Sequence, residues 1–346
     1  MFHNRPYILT AALTACLLLL MVFSISSGSM SVPLSQLISI LMDPAGTGGN
    51  ASTETQHLVI WQIRLPRVVL TVLVGASLAL SGAMVQGLFR NPLADPSLIG
   101  VSGGAAVGAA CAIVLGGAWQ LAEASWAVPM AAFVGGAMVT ALVYYLGVGP
   151  MGTSVATMLL AGVAINAMTG ACISYLSTVA EDVRLRNLVF WMMGSFNVST
   201  WNKVLWVFPF LLVALLVMTQ VWKGLNALLL GESEARHLGI PVERLRLWVI
   251  LTAALAVGVS VAAVGMIGFV GLVVPHLIRL LIGPDHRWLL PASALLGAVL
   301  LCAADWAART WLQPKELPIG VLTAVLGAPF FLFLVSQRRR GNFYGS

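Results

Sequence analysis

Charged side chains are sparse along the chain and divide it into long apolar runs. A run of roughly 20 mostly apolar residues is enough for a helix to cross a bilayer. Measured against that length, the gap between Arg5 and Asp43 holds one span near 7–25, and the gap between Arg67 and Arg90 holds another at 68–88. A third falls at 98–115. No charge occurs between Glu123 and Glu181, which leaves room for two spans, 126–146 and 155–176, joined by a turn at Gly147-Val148-Gly149-Pro150. Further spans are predicted at 204–221, 247–266, 269–282, 288–308 and 319–335, about ten in all, with 269–282 the shortest.

Between the runs lie three longer polar stretches, 26–62, 180–202 and 223–246. The first contains Gly46-Thr47-Gly48-Gly49-Asn50 and reads as a flexible outer loop. The first apolar run follows Arg5 and precedes Ser and Gly residues, as a signal peptide would, but nine further runs favour an uncleaved helix. Within the runs, Gly100, Gly104 and Gly108 recur every four residues, as do Gly75, Ala79 and Ala83. Such stripes let backbones approach closely, and they predict tight helix packing rather than a particular function. Similar spans opening at Arg64-Leu65 and Arg246-Leu247 give a faint inverted repeat.

Composition sharpens this picture. Hydrophobic residues make up 59% of the 346 residues and charged ones 9%, against about 25% charged in soluble domains. The mean hydropathy is +0.95. The expectation is an all-α integral membrane protein of one domain, residues 1–346. With the N-terminus inside, eleven Lys/Arg fall on the inner side and seven on the outer, and Arg338-Arg339-Arg340 closes the last span. That bias, with an even number of spans, places both termini in the cytoplasm. It also accounts for the net charge of +6 through contact with lipid headgroups rather than nucleic acid. Cys16, Cys111, Cys172 and Cys302 are scattered through spans without paired spacing, so neither a disulfide framework nor a zinc site is expected.

Motifs for chemistry are missing from the sequence. Gly-Lys never occurs, so there is no phosphate-binding loop, and there is no H-E-x-x-H. The five histidines form no ligand cluster. Asp305 is a rare charge inside a span, but Arg309 one turn later is placed to pair with it. An ion-coupled secondary transporter would need more intramembrane ionisable groups, and an intramembrane enzyme would need convergent catalytic residues.

Four segments depart from generic spanning sequence. The first is Arg64-Leu65-Pro66-Arg67 with the proline-bounded turn Asn91-Pro92-Leu93-Ala94-Asp95-Pro96. The second is a short polar helix, Gly231-Glu232-Ser233-Glu234-Ala235-Arg236-His237-Leu238-Gly239-Ile240-Pro241, with a glycine at each end. The third is the glycine-rich stretch 265–274 leading to Pro275-His276, expected to break or bend a helix. The fourth is Glu316-Leu317-Pro318-Ile319-Gly320 leading to Gly327-Ala328-Pro329.

In this order the four segments resemble the membrane permeases of BtuCD-like (type II) ABC importers for iron chelates, haem and cobalamin, over roughly 64–335. The resemblance implies a ten-helix permease in the bacterial inner membrane, working as a homodimer by alternating access. Two ATP-binding cassette subunits below would carry the ATP and Mg, so this chain would bind no cofactor or metal of its own and would not itself be an enzyme. A periplasmic substrate-binding protein would dock above. The segment about 231–242 would be the coupling element, with Glu232, Glu234, Arg236 and His237 facing the ATPase. Arg64, Arg67 and Arg309 would receive acidic residues of the binding protein. Arg184 and Arg186, in the outer loop before Phe190-Trp191-Met192-Met193-Gly194, would meet the carboxylates of an acidic substrate, with Trp191, Met192 and Met193 against its ring. Local pairing of the two arginines with Glu181 and Asp182 is the competing reading. Haem is the first expectation for the substrate, a ferric siderophore the second and cobalamin the third.

Overall fold

The computed structural model describes residues 5–28, 32–42, 51–116, 125–150, 152–311 and 315–341. The predicted flexible loop at 46–50 lies outside them. Helix α1 (Arg5–Ser26) is followed by α2 (Leu34–Met42) and α3 (Ala51–Leu58). A π-helical turn (Val59–Arg64) carries α3 into α4 (Leu65–Phe89). A 3₁₀ turn (Pro96–Ile99) leads to α5 (Val101–Leu115). Then come α6 (Ala127–Gly147), the two-residue strands β1 (Val148–Gly149) and β2 (Gly152–Thr153), α7 (Val155–Val179) and α8 (Asp182–Met193). The chain continues through α9 (Trp201–Leu228), α10 (Glu232–His237), α11 (Val242–Val264), α12 (Val270–Ile282), α13 (His286–Thr310) and α14 (Ile319–Gly341).

Among the described residues, seven helices are long and apolar enough to cross a membrane, and three shorter apolar helices accompany them: α5, α12 and the Ile319–Phe330 part of α14. Each of the ten predicted runs falls on one of these. The chain is an all-α membrane protein. Helices α4, α11 and α13 form the interior, and the outer helices turn large apolar side chains such as Leu160, Met168 and Leu216 outward. In water that exterior would be costly; in hydrocarbon it is what the solvent requires.

The small-residue stripes lie where helices pack backbone to backbone. A Cβ added at Gly75 would overlap the carbonyl of Gly297 on α13, and one at Gly104 would overlap the carbonyl of Gly135 on α6. Backbones this close gain dispersion contacts that lipid cannot compete for.

Three predicted irregularities take a different form. The stretch 180–202, expected as a loop, contains α8, seated on α5 through the buried Leu188 against Ala110 and Val114. The turn after α6 is a small antiparallel ladder pairing Val148 with Thr153 and Gly149 with Gly152. The helix break falls at 265–269, where Gly265 and Phe269 both have positive φ, and α12 then runs on through Pro275. Proline has no N–H to offer the carbonyl four residues back, that of Gly271. Gln86, buried in α4, supplies the missing donor: its Nε2 donates to Gly271 O at 3.4 Å and to Leu272 O at 3.1 Å.

Hydrogen bonds gather the helix ends into two sets. At one end of the bundle, α1, α4 and α13 meet through Arg64, Arg309 and Ser24. At the other, Asn226 of α9 holds Asp285 and His286 before and at the start of α13. The short helix α10 belongs to this second end.

Candidate functional sites

At the α10 end, Gly231 (φ 126°) and Gly239 (φ 79°) flank the short helix, both in a conformation that side-chain-bearing residues avoid. The polar segment therefore stops at the two glycines, as its sequence predicts. Ala235 is fully buried beneath the helix. Above it, Glu232 and Glu243 alternate with Arg236 and Arg246 in a closed ring of ion pairs. Arg236 donates to Glu232 and to Glu243, each at 2.9 Å. Arg246 donates to Glu243 at 2.8 Å and to Glu232 at 2.5 Å. Glu232 is held below the usual carboxylate range: partial burial would raise it, but the hydrogen bond from Arg236 and the charge and hydrogen bond of Arg246 prevail. Glu234 and His237 point outward with Leu238, which is 62% exposed, and Leu230, 69% exposed. Of the four residues predicted to face an ATPase, Glu232 is thus committed mainly to fixing the helix. Glu234 and His237 are open, and Arg236 does both.

At the opposite end, Arg64, Arg67 and Arg309 converge, though not as open surface charges. Arg67 is buried and donates to Asp305 through Nε and Nη2 at 3.0 and 2.9 Å, and to Glu316 through Nη2 at 2.9 Å. Arg309 donates to Asp305 at 3.1 Å, the i,i+4 pair that its spacing predicts. Arg64 donates to the carbonyls of Ile25 and Ser26 at 2.7 and 3.1 Å. Of the two carboxylates, the Asp305 side chain is 2% exposed and that of Glu316 33%. Glu316 is the member within reach of solvent.

Beside this cluster lies a cavity of about 950 Å³. Its walls come from the facing ends of α5, α6, α8, α9 and α11 and from the segment 316–318. Arg184, Asn187, Phe190 and Trp191 line it from α8, and Lys203 and Trp206 from α9. The expected pathway residues divide by helix geometry. Positions 184, 187 and 191 follow i, i+3, i+7 spacing and share one face. Arg186, Met192 and Met193 are not among the cavity's lining residues. Arg186 is exposed, Met192 packs against the apolar cluster around Val114, and the Met193 carbonyl abuts Gly320. Arg184 and Arg186, expected in a loop before Phe190, lie instead on α8, whose helical repeat turns Arg184 but not Arg186 to the cavity. Arg184 also donates to Val114 O at 2.6 Å and lies 3.5 Å from Glu181, so the expected local pairing is present for this arginine.

Glu243, Gln86 and Lys203 belong to none of the motifs that the sequence singles out. Glu243 follows Pro241 at the mouth of a span, and Lys203 follows the N-cap Thr200. A charge at the first turn of an apolar helix was the available signal. Gln86, a lone amide inside a span, carried a similar one.

Residues 16–337 match the FecCD transport family. The chain is 40% identical over 336 residues, 97% of each chain, to the hemin transport system permease protein HmuU of Yersinia pestis. It is 44% identical over 285 residues, 82% of this chain and 75% of the relative, to the cobalamin import system permease protein BtuC of Halobacterium salinarum. A solved structure of an inward-facing metal-chelate type ABC transporter is similar with a TM-score of 0.82 and 35% identity, covering 96% of this chain and 99% of that one. With the helix architecture and the glycine-bounded polar helix, these matches establish that the chain belongs to the FecCD transport family and is a permease of the ABC importer class.

Proposed function

We propose that this chain is one of two identical membrane subunits of an importer in the bacterial inner membrane, with haem as its substrate. The observation that carries this reading is the placing of two dissimilar sites at opposite ends of one bundle. One is a pinned helix with an exposed polar and apolar face, and the other is a cavity lined by aromatic and cationic residues. The α10 end is cytoplasmic, as are both termini. There Glu234, Arg236 and His237 meet an ATP-binding cassette subunit, with Leu230 and Leu238 supplying apolar contact. ATP and Mg are bound by that partner.

At the periplasmic end a substrate-binding protein docks over the Arg64, Arg67 and Arg309 cluster. Since Arg67 is already saturated by Asp305 and Glu316, an acidic residue of the binding protein reaches it by taking the place of the exposed Glu316. Substrate released from the binding protein passes the cavity. Arg184 and Lys203 there offer charge to substrate carboxylates, and Trp191, Trp206 and Phe190 offer ring surface. Weak, distributed contacts suit a pathway, because tight binding would slow release.

The hemin permease relative, matched over nearly the whole of both chains, supports haem. The cobalamin permease relative supports the same machine with another large ring as cargo, and a ferric siderophore is the other alternative. The test is ATP hydrolysis and uptake by the complex in liposomes with each solute in turn. Stimulation by haem, and its loss in an Arg184→Ala, Lys203→Ala variant, is the expected result. Stimulation by cobalamin or a siderophore instead would keep the importer and replace its substrate.

A further inference from the structure

Glu243 stands at the junction of three elements. One carboxylate oxygen accepts from Arg236 of α10 at 2.9 Å and from Arg246 one turn further along α11 at 2.8 Å. The other accepts from the backbone N–H of Thr153, in β2, at 3.2 Å. The hairpin approaches closely because Gly152 precedes that N–H: its φ is 103°, and a Cβ there would lie 2.8 Å from Glu243 Oε1. Beyond Thr153 the chain turns directly into α7. Ser154 donates its backbone N–H to Gly147 O at 2.8 Å and caps α7 by accepting from Thr157 N at 3.3 Å. One carboxylate thus connects the short polar helix to the hairpin that begins α7. Helix α7 is a peripheral span, with Leu160, Val163 and Met168 exposed.

We infer that Glu243 is the positioning residue that transmits a displacement of α10 to the β1–β2 hairpin and so to the start of α7. The inference rests on the reading of α10 as the ATPase-facing helix. Its physical basis is the difference between the two links. The Arg236 contact is charge-assisted at both donor and acceptor and ties Glu243 to α10, and Arg246, on α11 with Glu243, reaches α10 through Glu232. The Thr153 contact uses the backbone, so moving Glu243 moves the hairpin itself rather than a side chain that can swing aside. Among the described residues, the hydrogen bonds of Glu232 go to Arg236 and Arg246 and none to the hairpin, which separates the two acids: Glu232 fixes α10, and Glu243 passes its motion on.

The experiment uses the assembled complex in lipid with Cys16 replaced by Ser, and a spin label at Val148→Cys on the hairpin or Leu238→Cys beside α10. Both positions are exposed. The wild-type background should show an ATP-driven change in label mobility at both places. In Glu243→Gln the change at 238 should persist while that at 148 falls to background, with thermal stability measured alongside. An undiminished change at 148 in that variant overturns the inference. If Glu243→Gln does not assemble, Gly152→Ala gives the same comparison by forcing the hairpin away from an intact Glu243. If the label at 238 is silent in the wild type, α10 is not the ATPase-facing helix, and the inference falls with that reading.

Discussion

Arg67 and Asp305 lie 238 positions apart and are joined by hydrogen bonds from Nε and Nη2, with both side chains almost fully buried. The pair fastens the first turn of α4 to the last turns of α13. Arg309 shares Asp305 and Glu316 shares Arg67, so two cations and two carboxylates form one ion-pair network, with Arg64 beside it. Removing one member leaves uncompensated charge in a place water does not reach. Asp305→Asn should therefore destabilise the protein by about 3–5 kcal/mol, read as a lower unfolding temperature in detergent. Glu316→Gln, at the exposed edge, should cost less than Asp305→Asn. Equal losses in the two variants would contradict the burial argument.

Gly75 of α4 and Gly297 of α13 let the two backbones come into contact. A side chain at Gly75 meets backbone, which cannot swing aside. Gly75→Val should cost at least about 1–3 kcal/mol from overpacking. Gly170, within α7, has no atom within 4 Å of the position a Cβ would take. Gly170→Ala should accordingly be neutral or mildly stabilising, because alanine favours the helix by roughly 1 kcal/mol over glycine. Thermal unfolding of the two variants side by side checks the contrast.

Gln86 serves two carbonyls of α12 with its amide N–H groups and accepts from Arg279 at 3.2 Å with its oxygen. Gln86→Leu keeps the size and removes all three contacts. The expected loss is about 1–3 kcal/mol for unsatisfied buried groups. It should be accompanied by faster hydrogen exchange in α12 near Pro275. Exchange unchanged there would mean that Gln86 does not support the proline-interrupted helix.

The ring around α10 makes a prediction about pH. The folded protein holds Glu232 below its ordinary pKa, through Arg236 and Arg246 and against partial burial. A depressed carboxylate contributes its stability in full above the unfolded value, about 4.3 for glutamate. That contribution is lost as pH falls through the lower folded value. Arg236 remains charged throughout, its pKa raised by its hydrogen bonds to Glu232 and Glu243. A spin label at Leu238→Cys should thus keep its mobility unchanged from about pH 8 to about pH 5 and loosen only in stronger acid. Loosening that begins near neutrality would contradict the assignment.

Helix placement was largely legible in the sequence because lipid imposes one strong rule, a long charge-free run, and the ten runs obey it. The short polar helix was legible for a similar reason: Gly231 and Gly239 punctuate it, and both adopt the positive φ that explains them. Helix α8 was not. Its charges, Asp182, Arg184 and Arg186, masked a helical repeat that becomes evident once Leu188 is seen packing on α5. Partnerships across the chain were also hidden. Asp305 and Arg309 are one turn apart and could be paired by spacing, whereas Arg67 reaches both Asp305 and Glu316 through the fold. Glu243 looked like an ordinary charge at a helix start until Thr153, 90 positions earlier, was placed beside it. Spacing along the chain carries local geometry, and these contacts depend on which helices become neighbours.

The most direct test of the central claim is haem uptake into liposomes holding the complete complex, with ATP supplied on the α10 side. It would be measured with an active ATPase partner, with a hydrolysis-deficient one, and with a proton ionophore present. The account predicts uptake that needs the active partner and persists with the ionophore. Uptake that continues with the inactive partner and stops with the ionophore would contradict it.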